Sequence, residues 1–328
     1  MKILRDLESK FYWILLALGV LLVLPLFFPA YWVTLVTQMF IFGMLAMSLD
    51  ILLGYTGLPS FGHAAFFGLG AYAVGVLSTR YALGFWLSGL TGIVLSVAVA
   101  AIFGLICVHS AGVYFLMITM ALGMCLWGLA FRWVGMTGGD NGISGIPRPE
   151  IGLPLDLNDP IAFYYFTFLA FALVLLALVL LVNSPFGQTL RGIRESESRM
   201  RVLGYNTWLH KYLSYVIAGG FAGISGVYWA YYNAFVSPGD LDVIATMEAF
   251  FMTILGGPGT LVGPALGAGI IVFLKNFISA YTQRWLIILG LVYVVIILYT
   301  PQGLVNFLIE RMKNKRLTAE SAENAEKN

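Results

Sequence analysis

Long apolar stretches, separated by short polar segments, dominate the chain from end to end. A helix that crosses the hydrocarbon core of a membrane needs about 20 mostly apolar residues. Each stretch must satisfy its backbone hydrogen bonds internally, which favours helices over the short alternating strands of a β-barrel. Ten stretches are candidate spans, and the eighth is too short to cross alone, as expected of a broken or re-entrant helix. They lie near residues 11–29, 32–53, 58–78, 85–108, 111–134, 161–182, 211–232, 246–257, 261–280 and 285–300.

The composition supports the same interpretation. Hydrophobic residues make up 60% of the chain and charged residues 10%, whereas a soluble globular protein carries about 25% charged residues. Two cysteines exclude a disulfide scaffold, and a net charge of +2 is too small to suggest nucleic-acid binding. The sequence therefore predicts an all-α polytopic membrane protein with about ten transmembrane or re-entrant helices.

Lysine and arginine residues indicate the side of the membrane that each loop occupies, because they are enriched on the cytoplasmic side. They cluster in the first ten residues, in the 183–211 loop and in the C-terminal tail. The opposite side carries only Arg80, Arg132, Arg148 and Arg284. Ten crossings then place both termini in the cytoplasm.

The domain organisation follows from this topology. We expect residues 1–312 to form one transmembrane domain in which 183–210 is a cytoplasmic loop. The polar residues 313–328 are expected to form a flexible cytoplasmic tail. The first span is longer than the apolar part of a usual signal peptide, so we expect an uncleaved anchor.

Familiar catalytic and metal-binding motifs are missing from the sequence. It contains no Gly-Lys-Ser/Thr of a P-loop, no His-Glu-x-x-His, no Cys-x-x-Cys and no Gly-x-Ser-x-Gly. Cys107 and His109 could supply half of a metal site, but no further ligands are near them in sequence. We therefore expect neither an enzyme nor a bound metal or cofactor.

The first glycine-rich segment has six glycines in the 22 residues from Gly54 to Gly75. Small residues let membrane helices approach closely, and a broken backbone at membrane depth must be buried in protein or line a cavity. Ser60 and His63 would share one face if the segment were helical there. Two interpretations stay open: a path for a polar solute, or tight helix packing around a satisfied histidine.

A second glycine-rich segment contains Gly256 and Gly259. Leu255-Gly256-x-x-Gly259 is similar to Leu53-Gly54-x-x-Gly57, and paired broken segments are typical of transporters built from repeats. We assign the candidate translocation path to both segments. Its residues are Gly54, Gly57, Ser60, His63, Gly256 and Gly259.

A third segment, 137–147, lies on the predicted outer side and has turn-forming residues at nearly every position. It is either an ordinary surface loop or a gate or docking surface for an extracytoplasmic partner. The candidate contact residues are Gly138, Gly139, Asp140 and Asn141.

Ionisable residues in membrane spans are costly and are functional candidates by default. Asp50 lies close to a predicted cytoplasmic end, where solvation would explain it. Glu248 opens the short eighth segment and is expected to act as an N-terminal helix charge. Lys275 is expected to extend toward the outer interface. His63 is the hardest of these groups to place in water.

The longest cytoplasmic loop follows Asn183 and carries alternating arginine and glutamate. Leu190, Ile193, Met200 and Leu203 fall on a helical period, and Gly204 is expected to stop the helix. A short amphipathic helix outside the membrane lies on lipid or docks into a partner protein. Alternating charges favour the protein partner slightly.

These segments carry a resemblance to a known family. The chain resembles LivM-type permeases, membrane subunits of ABC importers for branched-chain amino acids. The resemblance covers about residues 35–312. The matching segments, in the family's order, are 53–77, 137–147, 183–206 and 254–268.

The resemblance implies a set of partners. They are a second homologous permease subunit, two cytoplasmic ATPase subunits that use the ATP, a periplasmic substrate-binding protein and the lipid bilayer of a bacterial inner membrane. No nucleic acid is implied. The loop would contact the ATPases, and closure of the ATPases would move spans six and seven. The coupling residues implied are Arg191, Ile193, Arg194, Glu195, Arg199, Met200, Leu203 and Gly204.

Two positions depart from the family's pattern. Asp50 stands where an uncharged amide is expected, and Ser198 where a small apolar residue is common. The substrate is also open, because related permeases carry urea or short amides. Two other classes remain: an ion-coupled transporter acting alone, and a membrane scaffold without a path.

Overall fold

The computed structural model describes residues 19, 21–149 and 156–282, together with isolated positions from 284 to 303. Within these residues the chain forms eleven α-helices and one antiparallel sheet of two short strands. The helices are α1 (Ala30–Asp50), α2 (Ala64–Arg80), α3 (Phe85–Cys107), α4 (Val113–Arg132), α5 (Val134–Thr137), α6 (Pro160–Asn183), α7 (Pro185–Glu195), α8 (Glu197–Val202), α9 (Thr207–Asn233), α10 (Val243–Gly256) and α11 (Val262–Tyr281). The strands are β1 (Ile143–Ser144) and β2 (Phe235–Val236).

Six of the described helical segments are long and apolar enough to cross a membrane. They comprise α1 with its continuation to Thr56, together with α3, α4, α6, α9 and α11. The chain is therefore a polytopic helical membrane protein. Eight of the ten predicted spans contain a helix, and α10, with 14 residues, is too short to cross alone, as predicted. The predicted span 11–29 is described only at residue 19 and from residue 21 onward, where it contains a 3-10 turn, Leu24–Leu26. The predicted span 285–300 is described only at isolated positions, and the tail 313–328 lies outside the described residues.

The bundle has two distinct ends. At the end that we call the basic end, α6 passes into α7 and α8, and the turn after α1 meets the Arg194 side chain. At the opposite end, which we call the capped end, β1 pairs with β2 and the Arg80 guanidinium donates to the Gly135 carbonyl. Successive long helices run between these ends in alternating directions.

The centre of the bundle is α1, which is buried over most of its length. It packs against α6, α9, α10 and α11. Helices in lipid gain little from apolar burial against one another, so close backbone approach carries much of the packing. Gly226 of α9 shows this: a Cβ added there would lie 1.8 Å from the Phe67 carbonyl oxygen of α2.

The first predicted break is present. After Asp50, α1 continues as a π-helical turn, Ile51–Thr56, which ends at Gly57 with φ of 76°. The next helix begins only at Ala64. Ser60 and His63 therefore lie in an irregular segment before α2, and the helical face considered for them is not formed.

The cytoplasmic loop contains two helices where the periodicity predicts one. Ser196, with φ of −161°, separates α7 from α8, and its hydroxyl accepts from the Arg199 N–H at the start of α8. A serine side chain that accepts from a backbone N–H in this way caps a new helix and so ends the preceding one. Gly204 has φ of 87° just beyond α8, in agreement with its predicted role as the stop.

Candidate functional site

The two glycine-rich segments meet at the basic end. A Cβ added to Gly54 would lie 2.2 Å from the Gly259 nitrogen, so only glycine permits this approach. Gly256 packs in turn on the Gly263 carbonyl. Gly54 and Gly256 are buried, Gly259 is half-buried and Gly57 is exposed. These predicted path residues thus form a packed break between helices, closed in this structure.

Asp50 joins the two sides of this break. Its carboxylate is fully buried and accepts from the Gly259 N–H at 2.7 Å and from the Leu261 N–H at 3.1 Å. The expectation that solvation at a cytoplasmic end explains Asp50 is therefore wrong. The carboxylate satisfies two backbone donors that the irregular entry into α11 leaves without helical partners.

Two arginines of α7 reach from the cytoplasmic helix into the break. Arg194 donates to the Gly54 carbonyl, and its side chain lies beside Gly57 and Gly259. Arg191 lies over the Tyr55 ring, with 5.0 Å between the guanidinium carbon and the ring centroid. The cytoplasmic helix is thus attached directly to both glycine-rich segments.

The other coupling residues divide into buried and exposed groups. Ile193 is only 4% exposed and packs inside this chain, so it is not available for the apolar contact expected of it, whereas Val202 and Leu203 are 88% and 65% exposed. Met200 is half-buried against Gly192. The remaining exposed members are Glu195, Arg199 and Gly204.

A clamp that the sequence did not reveal holds α8 to α9. Glu197 accepts from Arg201 at 2.6 Å, from Lys211 at 3.0 Å and from the Thr207 hydroxyl at 3.1 Å. Partial burial raises the pKa of the Glu197 carboxyl, but the hydrogen bonds from Lys211 and Arg201 outweigh it, so that its pKa lies below the usual range. The pairing with Lys211 spans 14 residues and has no periodic sequence signal.

Ser60 and His63 lie deeper, near α1. The His63 Nε2 and Ser48 Oγ atoms are 2.8 Å apart, and the Ser48 hydroxyl donates to the Leu45 carbonyl. His63 Nε2 is then the donor, because the serine has a single proton to give. His63 Nδ1 is buried without a hydrogen-bond partner among the described residues, and Ser60 Oγ lies near Tyr215 without a well-formed bond.

The outer loop is fixed at the capped end by β1, where Ile143 pairs with Val236. Gly138 and Gly139 adopt positive φ angles of 80° and 61°, and Asp140 and Asn141 are exposed beyond them. The structure therefore presents these two polar side chains on an ordered turn.

The remaining intramembrane charges pair with each other. Glu248 lies in the second turn of α10, not at its start, and accepts from the Lys275 ammonium at 2.8 and 3.0 Å. The prediction of a helix N-terminal charge for Glu248 is therefore wrong, and Lys275 has a charged partner that the sequence did not indicate. No group of three potential metal ligands occurs in the part of the chain that the structure describes.

This combination defines a class: a helical membrane protein with two broken segments joined to a short helix pair, α7 and α8, at the basic end. The model of the family described as branched-chain amino acid transport system / permease component matches residues 31–299. The chain belongs to this family.

Named relatives agree with this membership. The chain is 28% identical to the high-affinity branched-chain amino acid transport system permease protein LivM of Salmonella typhimurium, over 86% of this chain and 72% of the relative. It is 27% identical to the probable LivM of Methanocaldococcus jannaschii, over 79% and 89%. The permease LivH of Escherichia coli is 27% identical over 40% of this chain and 44% of its own length. No solved structure shows significant similarity.

Proposed function

We propose that this chain is the membrane permease subunit of an importer that carries branched-chain amino acids across a bacterial inner membrane. Separate ATPase subunits would drive transport, a second homologous permease would complete the path, and a periplasmic binding protein would deliver the solute. Membership of the branched-chain amino acid permease family supports the function as a transport permease. The solute is inferred from the names of the relatives and extends to other amino acids more readily than to urea or short amides.

One observation carries the mechanism: α7 contacts the packed break directly through Arg194. Movement of the exposed face of α7 and α8 by docked ATPases would pull on Gly54 and Gly259. Asp50 would carry the movement into α11, because it joins α1 to the entry of α11. We infer that the closed break is the cytoplasmic gate and that the path runs past Ser60 and His63.

The binding protein is proposed to contact the capped end. Asp140 and Asn141 project from a turn held by the small sheet, and an ordered polar turn suits transient docking of a soluble partner. The ATPases are proposed to contact the opposite, basic end, through the exposed members of α7 and α8.

Co-purification with the ATPase subunits in detergent tests this proposal. The double variant E195A/L203D should lose the ATPases, because it removes an exposed charge and places a carboxylate in the exposed apolar contact. V134D introduces the same charge on an exposed valine at the capped end and should retain them.

Retention of the ATPases by E195A/L203D would place the coupling surface elsewhere. Leucine uptake by the wild-type chain without any ATPase, driven by an ion gradient, would favour an ion-coupled transporter instead. That alternative requires an intramembrane carboxylate for the ion, whereas the Asp50 carboxylate is buried and already accepts two backbone N–H groups within the chain.

A further inference from the structure

A mixed-charge cluster lies between α10 and α11, away from the basic end. Its ion pair is Glu248 with Lys275, at 2.8 and 3.0 Å. Asp240, just before α10, accepts from the Ser237 backbone N–H and the Trp229 indole N–H, both at 2.9 Å, so its carboxylate is bonded within the chain.

Two tyrosine hydroxyls of the bundle are buried. Tyr72 is 6% exposed, and Tyr293, which is 7% exposed, stacks on Phe251 one turn from Glu248 on α10. Neither hydroxyl has a hydrogen-bond partner among the described residues. A buried polar atom without a partner costs free energy. Both hydroxyls are therefore placed to bond a group that the described chain does not supply.

We propose that this cluster is a subsite for the charged backbone of a zwitterionic amino acid. The substrate ammonium would bind Glu248, and the substrate carboxylate would bind Lys275 and the Tyr293 hydroxyl. The proposal rests on the proposed function, since it assumes that an amino acid passes through this chain. The subsite would recognise the amino acid within the membrane, in addition to any selection made before the solute enters this chain.

The ion pair suits this role energetically. Isolated charges within a membrane are expensive, and Glu248 and Lys275 neutralise each other when no substrate is bound. A zwitterion can replace one ion pair by two, and no charge loses its partner in the exchange. The side chains of Lys275 and Glu248 are 29% and 15% exposed, which leaves both within reach of a small solute.

Apolar surface lies next to the charges. Ile244 and Met247, on the same helix as Glu248, are 60% and 38% exposed. Phe251, one turn from Met247, stacks on Tyr293 with 4.2 Å between ring centroids. An aliphatic substrate side chain can lie against these groups while its backbone occupies the ion pair.

Binding of labelled leucine to the purified permease–ATPase complex, without binding protein, tests the subsite. Wild type should bind leucine, and isoamylamine and 4-methylpentanoate, which each lack one charge, should compete roughly tenfold more weakly or worse. E248Q/K275Q removes both charges of the ion pair together, so that neither is left without the other, and should bind leucine roughly tenfold more weakly or worse. N276A, one residue from Lys275 on α11, should bind like wild type.

A charge-reversal variant distinguishes substrate recognition by the Glu248–Lys275 pair from a purely structural role of that ion pair. E248K/K275E restores an ion pair and should assemble normally, but it presents the charges in the wrong order for the substrate and should not restore leucine binding. Wild-type binding by either double variant, or no leucine binding by the wild-type complex, would overturn the proposal. Failure of the proposed function is distinguishable, because the wild-type chain would then not co-purify with ATPases.

Discussion

Asp50 is the residue on which the geometry of the packed break depends most directly. Its carboxylate is removed from water and accepts two backbone N–H groups from the segment that leads into α11. A buried carboxylate in a membrane protein is costly unless it is fully bonded. The bonds to Gly259 and Leu261, with Arg194 near them, offset that cost. The two backbone N–H groups in turn require a hydrogen-bond acceptor at position 50.

Replacing Asp50 should therefore destabilise the protein in a graded way. D50A leaves two buried N–H groups without a partner, each costing about 1–3 kcal/mol. D50N keeps one acceptor oxygen and should lose less. We expect apparent melting temperatures in detergent to fall in the order wild type, D50N, D50A. A D50A protein that melts like wild type would contradict this account of the break.

Gly54 should tolerate no side chain. The added Cβ of G54A would lie 2.0 Å from an Asp50 carboxylate oxygen and 2.2 Å from the Gly259 nitrogen. We expect a loss of about 1–3 kcal/mol or more, measured as less folded protein in size-exclusion chromatography.

G128A is the matched control for Gly54, since a Cβ at Gly128 on α4 meets no atom within 4 Å. Alanine favours the helix by up to about 1 kcal/mol relative to glycine, so this variant should be neutral or more stable. Equal yields of G54A and G128A would show that the two glycine-rich segments do not touch.

At the scale of elements, we expect α7 to act on two sides. The Arg194 and Arg191 side chains contact the break, and Glu195 is exposed. R194A should therefore keep the ATPases bound. It should reduce ATP-driven uptake roughly tenfold, because the movement of the docked ATPases is no longer transmitted to Gly54. R199A, on exposed α8, should instead weaken ATPase co-purification. Loss of the ATPases in R194A, with R199A unaffected, would reverse the two assignments.

The Glu197 clamp predicts a pH dependence for α8. The pKa of Glu197 is lower in the folded protein than the ordinary value of 4.5, so its stabilisation is present above that value and is lost as the pH falls through the folded pKa. Hydrogen exchange of α8 should be faster in E197Q than in wild type near neutral pH, and the two should converge in acid. A constant difference at all pH values would mean that another group holds α8.

The sequence predicted elements better than their contacts. Apolar stretches located eight described helices, the first glycine-rich segment was correctly expected to break, and Gly204 correctly indicated where α8 stops. Periodicity could not show that Ser196 divides the cytoplasmic helix, because a serine N-cap looks like any exposed polar residue. It also could not show that Ile193 faces inward or that Lys275 pairs with Glu248, since both depend on neighbouring elements.

At the scale of the molecule, one arrangement occurs twice. A helix reaches the basic end, breaks at a Leu-Gly-x-x-Gly sequence, and a second helix leaves. The last glycine of each sequence has a positive φ, 76° at Gly57 and 85° at Gly259. The two breaks meet at Gly54 and Gly259, where α7 also contacts them. This junction is where a movement of the cytoplasmic helices can open both breaks together.

Uptake of labelled leucine into proteoliposomes tests the central claim most directly. The vesicles contain the chain with its homologous permease, ATPases and binding protein, and ATP or a non-hydrolysable analogue is supplied on the ATPase side. We expect uptake that requires hydrolysis, requires each partner, and falls in R194A while the ATPases stay bound. Uptake that an ion gradient drives without ATPases, or that R194A leaves unchanged, would contradict it.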